Sequence, residues 1–123
     1  MLTALHAAIS QTLFLMTLFC LGWSVIGVFT GRGVSPGLRG TVSITLVVAV
    51  AQTVLGLLLV IVDGWPFSAI HALYGVSLIA ALAGALIYGR RVPPQREVLV
   101  YALLMLFSAG LVLRAAETAG RLN

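Results

Sequence analysis

Charged residues are scarce in this chain: they make up 8% of its 123 residues, whereas an average soluble domain has about 25%. So little charge cannot cover a surface that faces water, and 61% of the residues are hydrophobic. The composition therefore predicts that the solvent of this protein is lipid. The length is that of a single domain, which we take as residues 1–123.

Cysteine is nearly absent too, with Cys20 as the only one. A single cysteine excludes an intramolecular disulfide and a cysteine-cluster metal site. Because Cys20 lies in the middle of an apolar run, we expect it to be a small buried hydrophobic residue. Lysine is missing, and all seven basic residues are arginines. These arginines fall between apolar runs and form no stripe on a polar face, so we expect no nucleic-acid partner.

The sequence contains four long apolar runs. Each of the four runs reaches the roughly 20 residues that a transmembrane helix needs. None shows the alternation of a barrel strand, and helices satisfy their own backbone groups in lipid. The sequence thus predicts an all-α, integral membrane four-helix bundle with up-down-up-down topology. The predicted spans are residues 3–30, 41–62, 66–88 and 98–116.

Three connections separate the spans. Residues 31–40 (GRGVSPGLRG) and 89–97 (GRRVPPQRE) read as loops because they are rich in glycine, proline and arginine. Residues 62–67 (VDGWPF) read as a tight turn, with Pro66 in the first turn of the next helix.

The arginines predict the orientation in the membrane. In the predicted topology the two loops lie on one side and hold five arginines against one acid, Glu97. The other side carries both termini, with Arg114 and Arg121 against Asp63 and Glu117. By the positive-inside rule, the loops face the cytoplasm and the termini of this cell-membrane protein face the non-cytoplasmic side.

The two halves of the chain resemble two tandem copies of one helical hairpin. Leu5-His6-Ala7 corresponds to Ile70-His71-Ala72, and Gly31-Arg32 corresponds to Gly89-Arg90. Two spans per copy make the copies parallel, so the pseudo-axis would run along the membrane normal. Both histidines then begin odd-numbered helices and lie near the same, outer surface.

A pair of histidines at one depth predicts a haem site. A histidine in a membrane helix indicates function because its burial costs free energy, and two can supply both axial nitrogens of one iron. In this topology helices 1 and 3 are diagonal, so His6 and His71 would face each other across the core. Small neighbours leave room for the porphyrin, while hydroxyl and guanidinium groups can bind its propionates. The further candidate site residues are the small Ser10 and Gly75, beside the porphyrin, and Tyr74 and Arg114, for the propionates.

In the four-helix plan and the placement of His6 and His71, the chain resembles the four-helix membrane b-type cytochromes, including cytochrome b561-like proteins and each half of the haem A synthases. The resemblance implies one haem b, with His6 and His71 as ligands of its iron. It implies electron transfer near the outer face, within a redox or respiratory assembly, to a quinone or an outer-side electron carrier. The sequence shows no nucleophile–base pair and no phosphate-binding loop, so it does not predict an enzyme.

Two alternatives remain open. In the first, His71 bonds to Asp63, Arg114 pairs with Glu117, and the chain is a structural or assembly subunit with a membrane-protein partner or a second copy of itself. In the second, the chain is a small transporter or a metal-binding protein, with His6, His71, Asp63 and Glu117 as ligands. The small multidrug exporters resemble it in size, but they depend on an acid in the first helix, which this chain lacks.

Overall fold

The computed structural model describes the backbone of residues 1–120 and the side chains of residues 1–117. This part of the chain forms α-helices and one short 3₁₀ helix, Gly89–Arg91, and contains no strand. The α-helices are α1 (Leu2–Thr30), α2 (Pro36–Val62), α3 (Ala69–Tyr88) and α4 (Pro94–Gly120). All four are long and apolar enough to cross a bilayer. The predicted all-α membrane architecture is confirmed.

The helices close into a bundle in which α1 and α3 each pack against both α2 and α4. Among the described residues, α1 makes no backbone approach to α3, and α2 makes none to α4, so these pairs are the diagonals. We call the end where α1 and α3 begin the histidine end. The opposite end, which carries the α1–α2 and α3–α4 connections, is the arginine end.

Capping serines move two helix starts away from their predicted positions. The Ser35 hydroxyl accepts a hydrogen bond from the Leu38 N–H (3.1 Å), so α2 begins at Pro36, five residues earlier than predicted. Ser68 caps α3 by accepting from the His71 N–H (3.2 Å), so α3 begins at Ala69. The placement of Pro66 inside the first turn of this helix was therefore wrong.

The predicted loop 89–97 was also wrong in extent. The chain continues from α3 into the 3₁₀ helix and re-enters a helix at Pro94, which leaves Val92 and Pro93 between them. The Pro93 carbonyl accepts from the N–H groups of Arg96 and Glu97 (both 2.9 Å), which starts α4 four residues early. Glu97 consequently lies in a helix and not in a loop.

Small side chains let the helices approach closely in the interior. A Cβ atom on Gly27 of α1 would lie 2.8 Å from Val98 of α4, so only glycine allows this contact. Cys20 is fully buried, as predicted, with its sulfur 3.9 Å from the Thr45 hydroxyl. The apolar core runs from Leu13 near the histidine end to Tyr101 near the arginine end.

Candidate functional site

The two histidines meet across the bundle. His6 lies in the second turn of α1 and His71 in the first turn of α3, and these helices are diagonal. Their ring centroids are 6.2 Å apart, with an angle of 60° between the ring planes. Both side chains are partly buried. The facing arrangement predicted from the topology is therefore present.

Helix α2 holds His6 in place. The Gln52 amide donates a hydrogen bond to the main-chain carbonyl of His6 (2.7 Å). One turn later, a Cβ atom on Gly56 would lie 3.3 Å from His6 Cε1, so the imidazole packs directly on the α2 backbone. Sequence reasoning did not identify Gln52 or Gly56 as partners of His6. Their four-residue spacing, which puts them on one helix face, was the available signal.

A cavity of about 570 Å³ adjoins the two imidazoles at the histidine end. All four helices and the α2–α3 connection contribute to its wall, which is mostly apolar. Of the predicted site residues, five line this cavity and are thereby brought together. They are His6, Ser10, His71, Tyr74 and Gly75. The wall also includes Gln52, Thr53 and Trp65.

Gly75 lines the cavity one turn after His71. A Cβ atom there would lie 3.7 Å from the Thr53 hydroxyl, which is an ordinary van der Waals distance. The glycine in tight contact with the imidazole pair is Gly56, because a methyl group at that position would lie 3.3 Å from His6 Cε1.

Arg114 is the predicted site residue that lies outside the cavity wall. Its side chain is 54% exposed and donates to the Glu117 carboxylate (3.0 Å), which confirms the predicted pair. The guanidinium also interacts with the Tyr74 hydroxyl. Since Tyr74 lines the cavity, Arg114 reaches the site only at its rim.

Two polar atoms beside the cavity have no hydrogen-bond partner within the described residues. They are His6 Nδ1 and Gln52 Oε1, and both are buried. Leaving such atoms unpaired away from water costs about 1–3 kcal/mol each. Unsatisfied polar groups on a cavity wall are the pattern expected where a ligand or water molecules complete the site.

The acids do not join the histidines. Asp63 is exposed and caps the end of α2, and Glu117 is bound to Arg114. Across the described residues, no three His, Cys, Asp or Glu side chains lie close enough to hold a metal ion. The four-ligand metal site of the second alternative is therefore not assembled.

A second polar cluster lies at the arginine end. Arg39 Nη2 donates to both carboxylate oxygens of Glu97 (2.9 and 2.8 Å), and the Glu97 side chain is only 9% exposed. Gly89 packs on Glu97 and on the fully buried Tyr101. Sequence reasoning counted Glu97 as a loop acid and missed this pair, which links the diagonal helices α2 and α4.

Comparisons with protein-family models, with curated proteins and with solved structures gave no match to this chain.

Proposed function

We propose that this chain is a small integral membrane protein that binds one haem b between His6 and His71 and takes part in electron transfer. The observation that carries the proposal is the pair of imidazoles on diagonal helices, 6.2 Å apart, beside a largely apolar cavity. Bound haem would supply one-electron exchange.

The two imidazoles lie close enough together that both could hold one haem. Their ring centroids are 6.2 Å apart, and His6 and His71 would bind the iron through ring nitrogens. The cavity volume of about 570 Å³ also lies within the roughly 300–1,000 Å³ typical of cofactor sites.

The surrounding residues would position His6 and bind the haem propionates. Gln52 fixes the main chain at His6, and Gly56 sets the plane against which the imidazole packs. The unpartnered Nδ1 of His6 can donate to a water molecule or to Gln52 Oε1, which would orient the other ring nitrogen as a ligand. The Ser10 and Tyr74 hydroxyls, with Arg114 behind Tyr74, provide polar groups for the propionates.

The proposed orientation determines which electron-transfer partners could reach the site. Five arginines at the arginine end favour the cytoplasmic side, so the histidine end lies at the outer face. An electron partner would then be a quinone in the bilayer or a carrier outside the cell, and the host would be a redox or respiratory assembly.

An optical spectrum of the protein purified in detergent tests this function. We expect a Soret band that sharpens on reduction and that is lost in His6→Ala and in His71→Ala. Glu117→Gln, at the same end but outside the cavity, should keep the band. In His71→Gly, added imidazole should restore it, because the small molecule replaces the missing ligand.

Helical content measured by circular dichroism separates loss of haem from loss of fold. A folded protein that stays colourless after hemin is added would rule out the haem. Retention of the band in either single alanine variant would remove that histidine as a ligand.

A further inference from the structure

The arginine end carries positive charge that the protein does not neutralise. Its only acid is Glu97, which is buried and takes both of its hydrogen bonds from Arg39. In the described part of the chain, no carboxylate pairs with any of the other four arginines, and all four are exposed. These four form what we call the arginine surface: Arg32, Arg90, Arg91 and Arg96.

The two connections that carry these arginines pack against each other. A Cβ atom on Gly33 would lie 3.1 Å from Pro94 Cβ, so the α1–α2 connection touches the start of α4. Gly89 lies equally close to Glu97, which places the 3₁₀ helix against the same turn. The charges are thus gathered on one surface and not spread around the bundle.

The N-terminus of α2 adds to the positive potential. Helix N-termini carry a partial positive charge, and α2 has no acid in its first turn to offset it. The N-terminus of α4 lies at the same end, but its first turn contains Glu97.

Exposed apolar side chains place this surface at the depth of lipid headgroups. Phe29 is 85% exposed and lies three residues before Arg32, while Ile87 and Tyr88 directly precede the 3₁₀ helix and are 61% and 58% exposed. Such side chains belong in acyl chains or at the interface. The arginines just beyond them therefore lie where phosphate groups begin.

We propose that the arginine surface binds the phosphate groups of anionic phospholipids in the leaflet that it faces. Arginine suits this ligand because its planar guanidinium can bind two phosphate oxygens at once. Retention of such lipids would anchor the arginine end at a fixed depth. The proposal does not depend on haem binding, because the surface lies at the opposite end from the histidines.

Native mass spectrometry of the full chain in neutral detergent, with phosphatidylglycerol or phosphatidylcholine added, tests the proposal. We expect preferential binding of phosphatidylglycerol. Combining Arg90→Gln, Arg91→Gln and Arg96→Gln should weaken that binding by about fivefold for each arginine removed. The matched control is Arg114→Gln at the histidine end, which should bind phosphatidylglycerol like the wild type.

Equal binding of the two lipids, or equal loss in the Arg114→Gln control, would overturn the proposal. Displacement of the lipid by millimolar inorganic phosphate would assign the surface to a free anion, and displacement by a short oligonucleotide would assign it to nucleic acid. If the triple variant does not fold, Arg96→Gln alone and wild type in about 1 M salt serve instead. At that salt concentration the screening length is about 3 Å, so the preference should disappear.

Discussion

Hydroxyl groups inside this bundle mostly bond to a carbonyl of their own helix. The Thr17 hydroxyl donates to the Phe14 carbonyl, and the Ser24 hydroxyl donates to the Cys20 carbonyl. Gln52 instead reaches another helix, where its amide bonds to the main chain of the one histidine in α1. Local bonding satisfies a side chain without specifying a partner helix, whereas the Gln52 bond holds α2 at one register against α1.

At the residue scale, we predict that Gly56→Ala impairs haem binding. The new methyl group would lie 3.3 Å from His6 Cε1 and push the imidazole out of line with His71. Changes beside a metal ligand typically cost 10–100-fold in affinity, so we expect at least a tenfold loss, measured by hemin titration.

A matched glycine controls for the effect of alanine itself. A Cβ atom on Gly84 meets no atom within 4 Å, and Gly84 does not line the cavity. The Gly84→Ala variant should bind hemin like the wild type. Equal loss in both variants would show that Gly56 has no special relation to His6.

At the element scale, side chains connect both diagonals of the bundle. The His6–His71 pair joins α1 to α3 at one end, and the Arg39–Glu97 pair joins α2 to α4 at the other. Neighbouring helices are held by packing along their length, but diagonal helices in the described chain have no such packing. These two pairs therefore constrain how the helices are arranged around the bundle axis.

We predict that Glu97→Gln destabilises the bundle by about 1–2 kcal/mol. Removing one partner of a fully buried ion pair costs about 3–5 kcal/mol, and the 31% exposure of the Arg39 side chain reduces this cost. The measurement is the free energy of unfolding in mixed detergent micelles.

The control for this prediction is Glu117→Gln, which breaks the exposed pair with Arg114 and should have no measurable effect. Combining Arg39→Leu with Glu97→Leu should recover part of the lost stability, because no buried charge is then left unpaired. Unchanged stability in Glu97→Gln would mean that the ion pair does not hold α2 to α4.

At the scale of the whole molecule, the two ends differ in charge. The arginine end exposes four arginines, while at the histidine end Arg114 is neutralised by Glu117 and Asp63 is exposed. Such asymmetry orients membrane proteins as they insert, because positive segments stay in the cytoplasm.

We predict that a reporter fused to the C-terminus lies outside the cytoplasm. An alkaline phosphatase fusion should be active there, and a fluorescent protein fusion should be dark. Fusions made after residue 92, in the α3–α4 connection, should give the reverse pattern. A fluorescent C-terminal fusion would invert the orientation and place the histidine end at the cytoplasmic face.

The number and approximate position of the four spans could be predicted better than the residues at which they begin. The bilayer demands long apolar runs, which are visible in the sequence, and α1 matches its predicted span to within one residue. The starts of α2 and α3 depend on single hydrogen bonds, from Leu38 to Ser35 and from His71 to Ser68. Hydropathy does not register such bonds, so both starts were misplaced.

The sequence by itself determined that this protein is a bundle of four helices long and apolar enough to cross a membrane, because its four long apolar runs lack strand alternation and can satisfy their backbone groups in lipid as helices. Topology then put both histidines at one end. Tertiary structure alone decided that His6 rests on Gly56 and is tied to Gln52, and that Glu97 is buried against Arg39. These contacts join residues more than 40 positions apart, and they depend on how each helix is rotated about its axis, which packing sets and composition does not.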